Sequence, residues 1–545
     1  MRVRLILTAM SLALAAPAAL AQTAPGEPVF TPEGVKAHVD FLADDLLEGR
    51  KAGTRGHEIA ARYVATRFEA LGLRPGGPGG SWYQEMPLAQ YSLEADAPAS
   101  LTVGTARFGN RIDVLIAASP RNGDGLQSVT GDAVFVGYGL AADYAGLDVS
   151  GKYAVMLAGG PSDPTASEAA QDRGIVARDH GAVGIIYLMR DADAKRMNWN
   201  AAASYLTREQ TSWLGPNGAP NGVDPGVKIG GYAKGAAAAA LFEGSAMTAD
   251  QVLAATGRPH GFALKPKVTI ARTNRVRIVN TPNVIGILPG SDPRLSSEYV
   301  VLSAHLDHLG TDPGAPGDDR IYNGAMDNAA GVATMLEAAR AFVESGRRPK
   351  RSILFVALTA EEEGLIGSDY LAHYPVVGTG KLVADVNLDM PILLYDFKDV
   401  VAFGAEHSTL GPIVERAAAR MGVTLSRDPM PEEQLFVRSD HYSFVKAGVP
   451  SVFLVTGFAN GGEKAFRDFL ARNYHKVSDQ TDQPFDWQAG AKFAQINYLI
   501  AREIADGAEA PRWYEGNSFG DRYAPGQPRA PAPPKPPEVI RPAQK

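Results

Sequence analysis

The chain has 545 residues, 45% of them hydrophobic and 21% charged, which is room for two to four domain cores and excludes a fibrous or wholly disordered protein. With 53 Lys+Arg against 60 Asp+Glu the net charge is -7, and no basic run is dense enough to neutralise a row of phosphates, which argues against nucleic acid as a partner. There are no cysteines, which removes a disulfide framework, thiolate metal sites and a cysteine nucleophile while leaving His and carboxylate chemistry open.

The first residues predict a secretory signal peptide over 1–21: Arg2 and Arg4 form a basic region, Leu5 to Leu14 an apolar one, and Ala19-Leu20-Ala21 a small-x-small cleavage site. The apolar run is shorter than the roughly 20 residues that span a bilayer, and nothing later is longer, so an exported protein, periplasmic or extracellular, without stable membrane insertion is expected. From Thr31 to Leu73 apolar residues recur at helical steps (Val35, Val39, Leu42, then Ala60, Tyr63, Val64, Phe68, Leu71), predicting two helices joined by a turn over Glu48 to Gly56. Between about Gly131 and Gly257, short apolar runs broken by Gly, Pro and Asp read as a compact β-rich module with a few helices.

From Asn283 onward strands and helices alternate: NVIGILPG, YVVLSAHLD, a helix from about Asn328 to Glu344, SILFVALTA and LVADVNLDM. The expected fold class is therefore α/β, with a largely buried sheet. Residues 525–545 carry eight prolines in 21, a composition that cannot close a core and predicts a disordered tail.

Ligands of open α/β sheets bind beyond the carboxyl ends of the strands, and here those ends are chemically biased. Ala304 is followed by His305-Leu306-Asp307-His308, Leu358 by Thr359-Ala360-Glu361-Glu362-Glu363, and Leu388 by Asp389, while Asp327 precedes a predicted helix. Singly, each has an ordinary structural explanation, such as Asp327 as an N-cap. Together they would gather self-repelling negative charge in one crevice unless cations neutralise it. His with Asp and Glu and no Cys suits catalytic zinc, and shared carboxylates suit two ions, with manganese or cobalt left open.

At this point the strings HLDHLG (His305 to Gly310), IYNGAMDNAAG (Ile321 to Gly331), TAEEEGLIGS (Thr359 to Ser368), NLDM (Asn387 to Met390), SDHYSFVKAGVP (Ser439 to Pro450) and NYHKVSD (Asn473 to Asp479) resemble the di-zinc aminopeptidases of metallopeptidase family 28. FLADDLLEGRKAGTRG (Phe41 to Gly56) resembles the family's amino-terminal opening, and VFVGYGLAADYAGLDVSGKYAVML with HGAVGIIYL resembles a protease-associated domain. The resemblance implies a zinc-exopeptidase fold, a mixed, mostly parallel sheet flanked by helices, divided as 22–130 and 271–510 with the inserted domain at 131–270 and a tail at 511–545. It implies two zinc ions, one on His305 and Asp389, the other on Glu362 and His475, with Asp327 bridging. Glu361 would be the general base to a hydroxide held by both ions, Tyr474 an aid to the oxyanion, and Asp307 a partner for the second nitrogen of His305. Met326 and Ala330 stand where the family often has Asp and Ser; neither is a ligand position.

The expected partner is a peptide with a free amino terminus. A glutaminyl cyclase-like acyltransferase with one zinc, or a non-catalytic peptidase-like receptor, are the alternatives, and retention of all five ligand positions weighs against both. A serine hydrolase is weaker still: GNSFG (Gly516 to Gly520) follows no apolar strand, and Ser439-Asp440-His441 are too close in sequence to form a triad.

Overall fold

The computed structural model describes residues 28–533 except 98, 122, 160–172, 197, 223–226, 256 and 316. The expected leader and residues 534–545 of the expected tail lie outside the described residues. The predicted amino-terminal helices form at Pro32–Leu42 and Arg55–Ala70, capped by the side chains of Thr31 and Thr54. Their apolar stripes (Val35, Val39, Leu42; Ala60, Val64, Phe68) join one core with Val332, Leu336, Phe342, Phe493 and Ile500 of the helices Ala330–Glu344 and Trp487–Asp506. Each such Val, Leu, Ile or Phe side chain, fully buried, contributes about 1.5–3 kcal/mol.

These helices pack on a mixed sheet. Its order runs from the long strand Phe262–Leu288 through Ser352–Leu358, Glu298–His305, Lys381–Leu388, Ser451–Thr456 and Asp399–Phe403 to Thr424–Ser426. The four strands from Ser352–Leu358 to Ser451–Thr456 are mutually parallel. The chain enters this set at Glu298–His305, goes to one side for Ser352–Leu358, then crosses to the other side for Lys381–Leu388. His305 therefore ends the strand at which the winding reverses, where α/β sheets open a crevice.

The β-rich module has its own core, in which Leu101, Val103, Val114 and Ile116 pack with Phe135, Tyr153, Ile186 and Leu241. It begins earlier than the expected boundary at 131, because Ala99, Leu101, Val103, Val114 and Ile116 already belong to this core. Nor does it end at a linker near 270. Phe262–Leu288 pairs with Gly125–Phe135 inside the module at one end and with Ser352–Leu358 of the main sheet at the other, so one strand crosses the expected boundary. The tail expectation is also corrected for residues 511–533: Trp513 is fully buried, donates from Nε1 to the Gly448 carbonyl at 3.0 Å and bridges to Ser408, and a helix follows at Ser518–Tyr523. No helix among the described residues is long and apolar enough to cross a membrane.

Candidate metal centre

Most site residues sit where a buried strand ends or a helix begins, and Tyr474 and His475 follow the end of the helix Gly462–Arg472. His305 is the last residue of Glu298–His305, Glu361 and Glu362 follow Ser352–Leu358, and Asp389 follows Lys381–Leu388. The chain turns sharply at these exits: Ala360, Met390 and His475 have φ of 54°, 41° and 54°, a left-handed region that costs a residue with a Cβ of the order of 1–3 kcal/mol and clusters at functional sites.

Asp327 lies in a turn before its helix and does not cap it. Asn328 does that work, its Oδ1 accepting from the Gly331 N–H at 3.0 Å. The Asp327 carboxylate is therefore free to face the crevice, with Oδ1 3.2 Å from His305 Nε2 and Oδ2 3.4 Å from His475 Nε2. Each imidazole has a second carboxylate: Asp389 Oδ1 lies 3.2 Å from His305 Nε2, and Glu362 Oε2 lies 3.0 Å from His475 Nε2. The result is two nitrogen-and-carboxylate clusters sharing Asp327.

The tautomer of His305 bears on what belongs between these groups. Its Nδ1 donates to the Asp307 main-chain carbonyl at 3.1 Å, so a neutral ring turns the lone pair of Nε2 toward two carboxylate oxygens. That arrangement is repulsive without a cation and favourable with one. Four carboxylates, Asp327, Glu361, Glu362 and Asp389, converge here, and none of them pairs with a lysine or arginine among the described residues. The ring nitrogen of His305 and one oxygen each of Asp327 and Glu362 all lie within 4.8 Å of one another. The donor set, imidazole and carboxylate without sulfur, fits zinc.

Glu361 lines a cavity with Asp327, Asp389, Tyr474 and His475. Burial raises its pKa well above the usual carboxylate range, against the pull of His305 and with help from Asp389 and Glu362. Burial also raises Tyr474, whose ring stacks on His475 at 3.8 Å between centroids. Asp307 acts differently from the expectation. The main-chain carbonyl, not the side chain, receives the His305 proton, and the carboxylate accepts the N–H groups of Glu361 at 3.1 Å and Glu362 at 3.3 Å. Burial pushes this carboxyl up to about 8.

Several supporting residues escaped the sequence. His308 Nδ1 lies 2.6 Å from Glu362 Oε1, holding one oxygen while the other faces His475. The Ser439 hydroxyl donates to Asp389 Oδ2 at 2.6 Å and itself accepts from Asn387 Nδ2 at 2.8 Å. Asp479 accepts the N–H groups of Met326 and Asp327, both at 3.0 Å. Arg50, fully buried, donates to the carbonyls of Leu42, Asn323, Gly324 and Leu306, tying both ligand loops to the amino-terminal turn. The only signal for any of these was membership of the motif strings. Ser439 is occupied by Asp389, and His441 Nε2 is spent on the Phe436 carbonyl at 2.6 Å, so neither joins a nucleophilic triad.

Residues 283–501 match Peptidase family M28. This segment holds all eight expected site residues. A probable zinc metalloprotease of Pyrenophora teres f. teres is 39% identical over 114 residues, covering 21% of this chain and 23% of that protein. Leupeptin-inactivating enzyme 1 of Streptomyces exfoliatus is 29% identical over 252 residues, covering 45% of this chain and 50% of that protein. The chain thus spans half or less of the length of these relatives. Among solved structures, an aminopeptidase from Aneurinibacillus sp. strain AM-1 is similar at 20% identity with a TM-score of 0.49, covering 88% of this chain and 95% of that one.

Proposed function

We propose that the protein is an exported zinc-dependent aminopeptidase that removes amino-terminal residues from peptides, using two zinc ions. The observation that carries this reading is the division of the Asp327 carboxylate between two imidazoles, each with a carboxylate of its own. In this reading His305 and Asp389 hold one ion, His475 and Glu362 the other, and Asp327 bridges. The ions would supply Lewis acidity, polarising the scissile carbonyl and acidifying water.

The chain's own groups divide the remaining work. Glu361, beside the proposed ligands, would take a proton from the attacking water and pass it to the leaving amine. The Tyr474 hydroxyl, kept protonated by burial, is available to donate to the developing oxyanion. The Asp307 carboxylate fixes the main chain at Glu361 and Glu362, from which the proposed base and ligand extend. The β-rich module is read as a protease-associated domain by its resemblance.

The test is hydrolysis of a panel of aminoacyl chromogenic amides with free and with acetylated amino termini, before chelation, after it, and after zinc is returned. Cleavage of the free-amine forms alone, lost on chelation and restored by zinc, supports the proposal. Cleavage of acetylated forms, or activity indifferent to chelator, refutes it.

A further inference from the structure

The cavity lined by Glu361 and Asp389 has a volume of about 60 Å³, and Met390, Leu435, Phe453 and Arg438 also line it. Arg438 is the one lysine or arginine in that lining. Its main chain is held firmly: its N–H donates to the Leu435 carbonyl at 3.1 Å, and the next residue, Ser439, is bonded to Asp389 at 2.6 Å. Its guanidinium is held loosely. Nη1 reaches the Glu433 carbonyl at 3.5 Å and Glu433 Oε2 at 3.4 Å, both at the outer limit of a hydrogen bond, and the side chain is 52% exposed.

A half-exposed pair of this kind is weak and readily exchanged for a better partner. Arg presents five N–H donors in a fork that matches a carboxylate with two parallel bonds, and only Nη1 is engaged here. The charge balance adds a reason. Two divalent cations would neutralise Asp327, Glu361, Glu362 and Asp389, so Arg438 would leave the loaded cavity attractive to an anion.

We propose that Arg438 selects substrates bearing a carboxylate that reaches this cavity. The carboxylate is either the side chain of an amino-terminal Glu or Asp, or the free carboxyl terminus of a short peptide. This inference rests on the aminopeptidase reading above and names its substrate class.

The experiment uses zinc-loaded full-length protein and two matched pairs: Glu- against Gln-chromogenic amide, and the dipeptide Leu-Gly against Leu-Gly amide. The carboxylate member of at least one pair should be favoured by about 10-fold or more in kcat/KM, and the responding pair tells which source is read. Arg438→Ala should bring that ratio to within about twofold, and Arg438→Glu should reverse it. Ratios in both pairs that Arg438→Ala leaves unchanged would overturn the proposal. Should no substrate be cleaved at all, the aminopeptidase reading falls. The same ratios, measured as calorimetric binding constants on zinc-loaded protein, then still decide for or against Arg438.

Discussion

Glu361 and Glu362 are adjacent in sequence, and the proposed roles of base for one and ligand for the other would separate catalysis from metal binding at the scale of single residues. Glu361→Gln keeps the size and removes the proton carrier. Its kcat should fall about 10²- to 10⁴-fold while zinc content, measured by elemental analysis, stays at the wild-type value. Ser439→Ala should do the reverse: by freeing Asp389 Oδ2 it should weaken zinc affinity by about 10- to 100-fold, read by competition with a chelating dye. His305, Glu361, Glu362 and Asp389 were legible because each follows an apolar run whose end the sheet must place there, whereas Asp327 was read from the turn before its helix and His475 from its motif string alone. Arg50 was not, since its bond to the Leu306 carbonyl joins positions 256 apart in the chain and no local pattern encodes it. Asp307 was half legible: its position was, but its main chain and side chain exchange the expected duties.

At the scale of elements, the strands and amino-terminal helices follow their periodicity, and the junctions do not. Gly324 shows why the turn before Asp327 has its sequence. With φ at 60°, an added Cβ would stand 2.1 Å from the Asp327 carbonyl oxygen and 2.6 Å from the His308 ring. Gly324→Ala should therefore displace Asp327, lowering both zinc content and thermal midpoint together. The boundary near 270 was invisible because a strand that changes partners midway shows no break in its own apolar pattern. The segment 511–533 was misjudged for a related reason: it was grouped with the proline-rich residues 525–545, whereas its decisive residue, Trp513, is held by distant groups, Gly448 and Ser408. Trp513→Ala should cost about 3–5 kcal/mol, seen as a lowered denaturant midpoint. A midpoint unchanged by that substitution would restore the expected loose tail.

For the whole molecule, two histidines far from solvent tie stability to pH. His57 and His441 are fully buried, and burial lowers both to about 3, with Arg50 adding to the effect at His57. Between the unfolded value near 6.5 and about 3, the unfolded chain binds these protons and the folded chain does not. Their contribution is therefore complete above about pH 6.5 and is lost as pH falls, by about 1.4 kcal/mol per pH unit for each. Denaturant unfolding of metal-free protein at several pH values should show the His441→Gln variant losing less stability than wild type between pH 6.5 and 4.5. The module is also bound into the molecule: Trp213 Nε1 and Asn221 Nδ2 both donate to Asp369 Oδ2, at 2.9 and 2.8 Å. Asp369 lies on the helix that follows the Glu361 loop.

The measurement that bears most directly on the shared role of Asp327 is the number of zinc ions per chain, followed as metal-free protein is titrated with zinc. Wild type should bind two, and Asp327→Ala should lose tight binding at both positions, because one carboxylate serves both clusters. A wild-type count of one, or an Asp327→Ala variant that still binds two zinc ions tightly, would contradict the account.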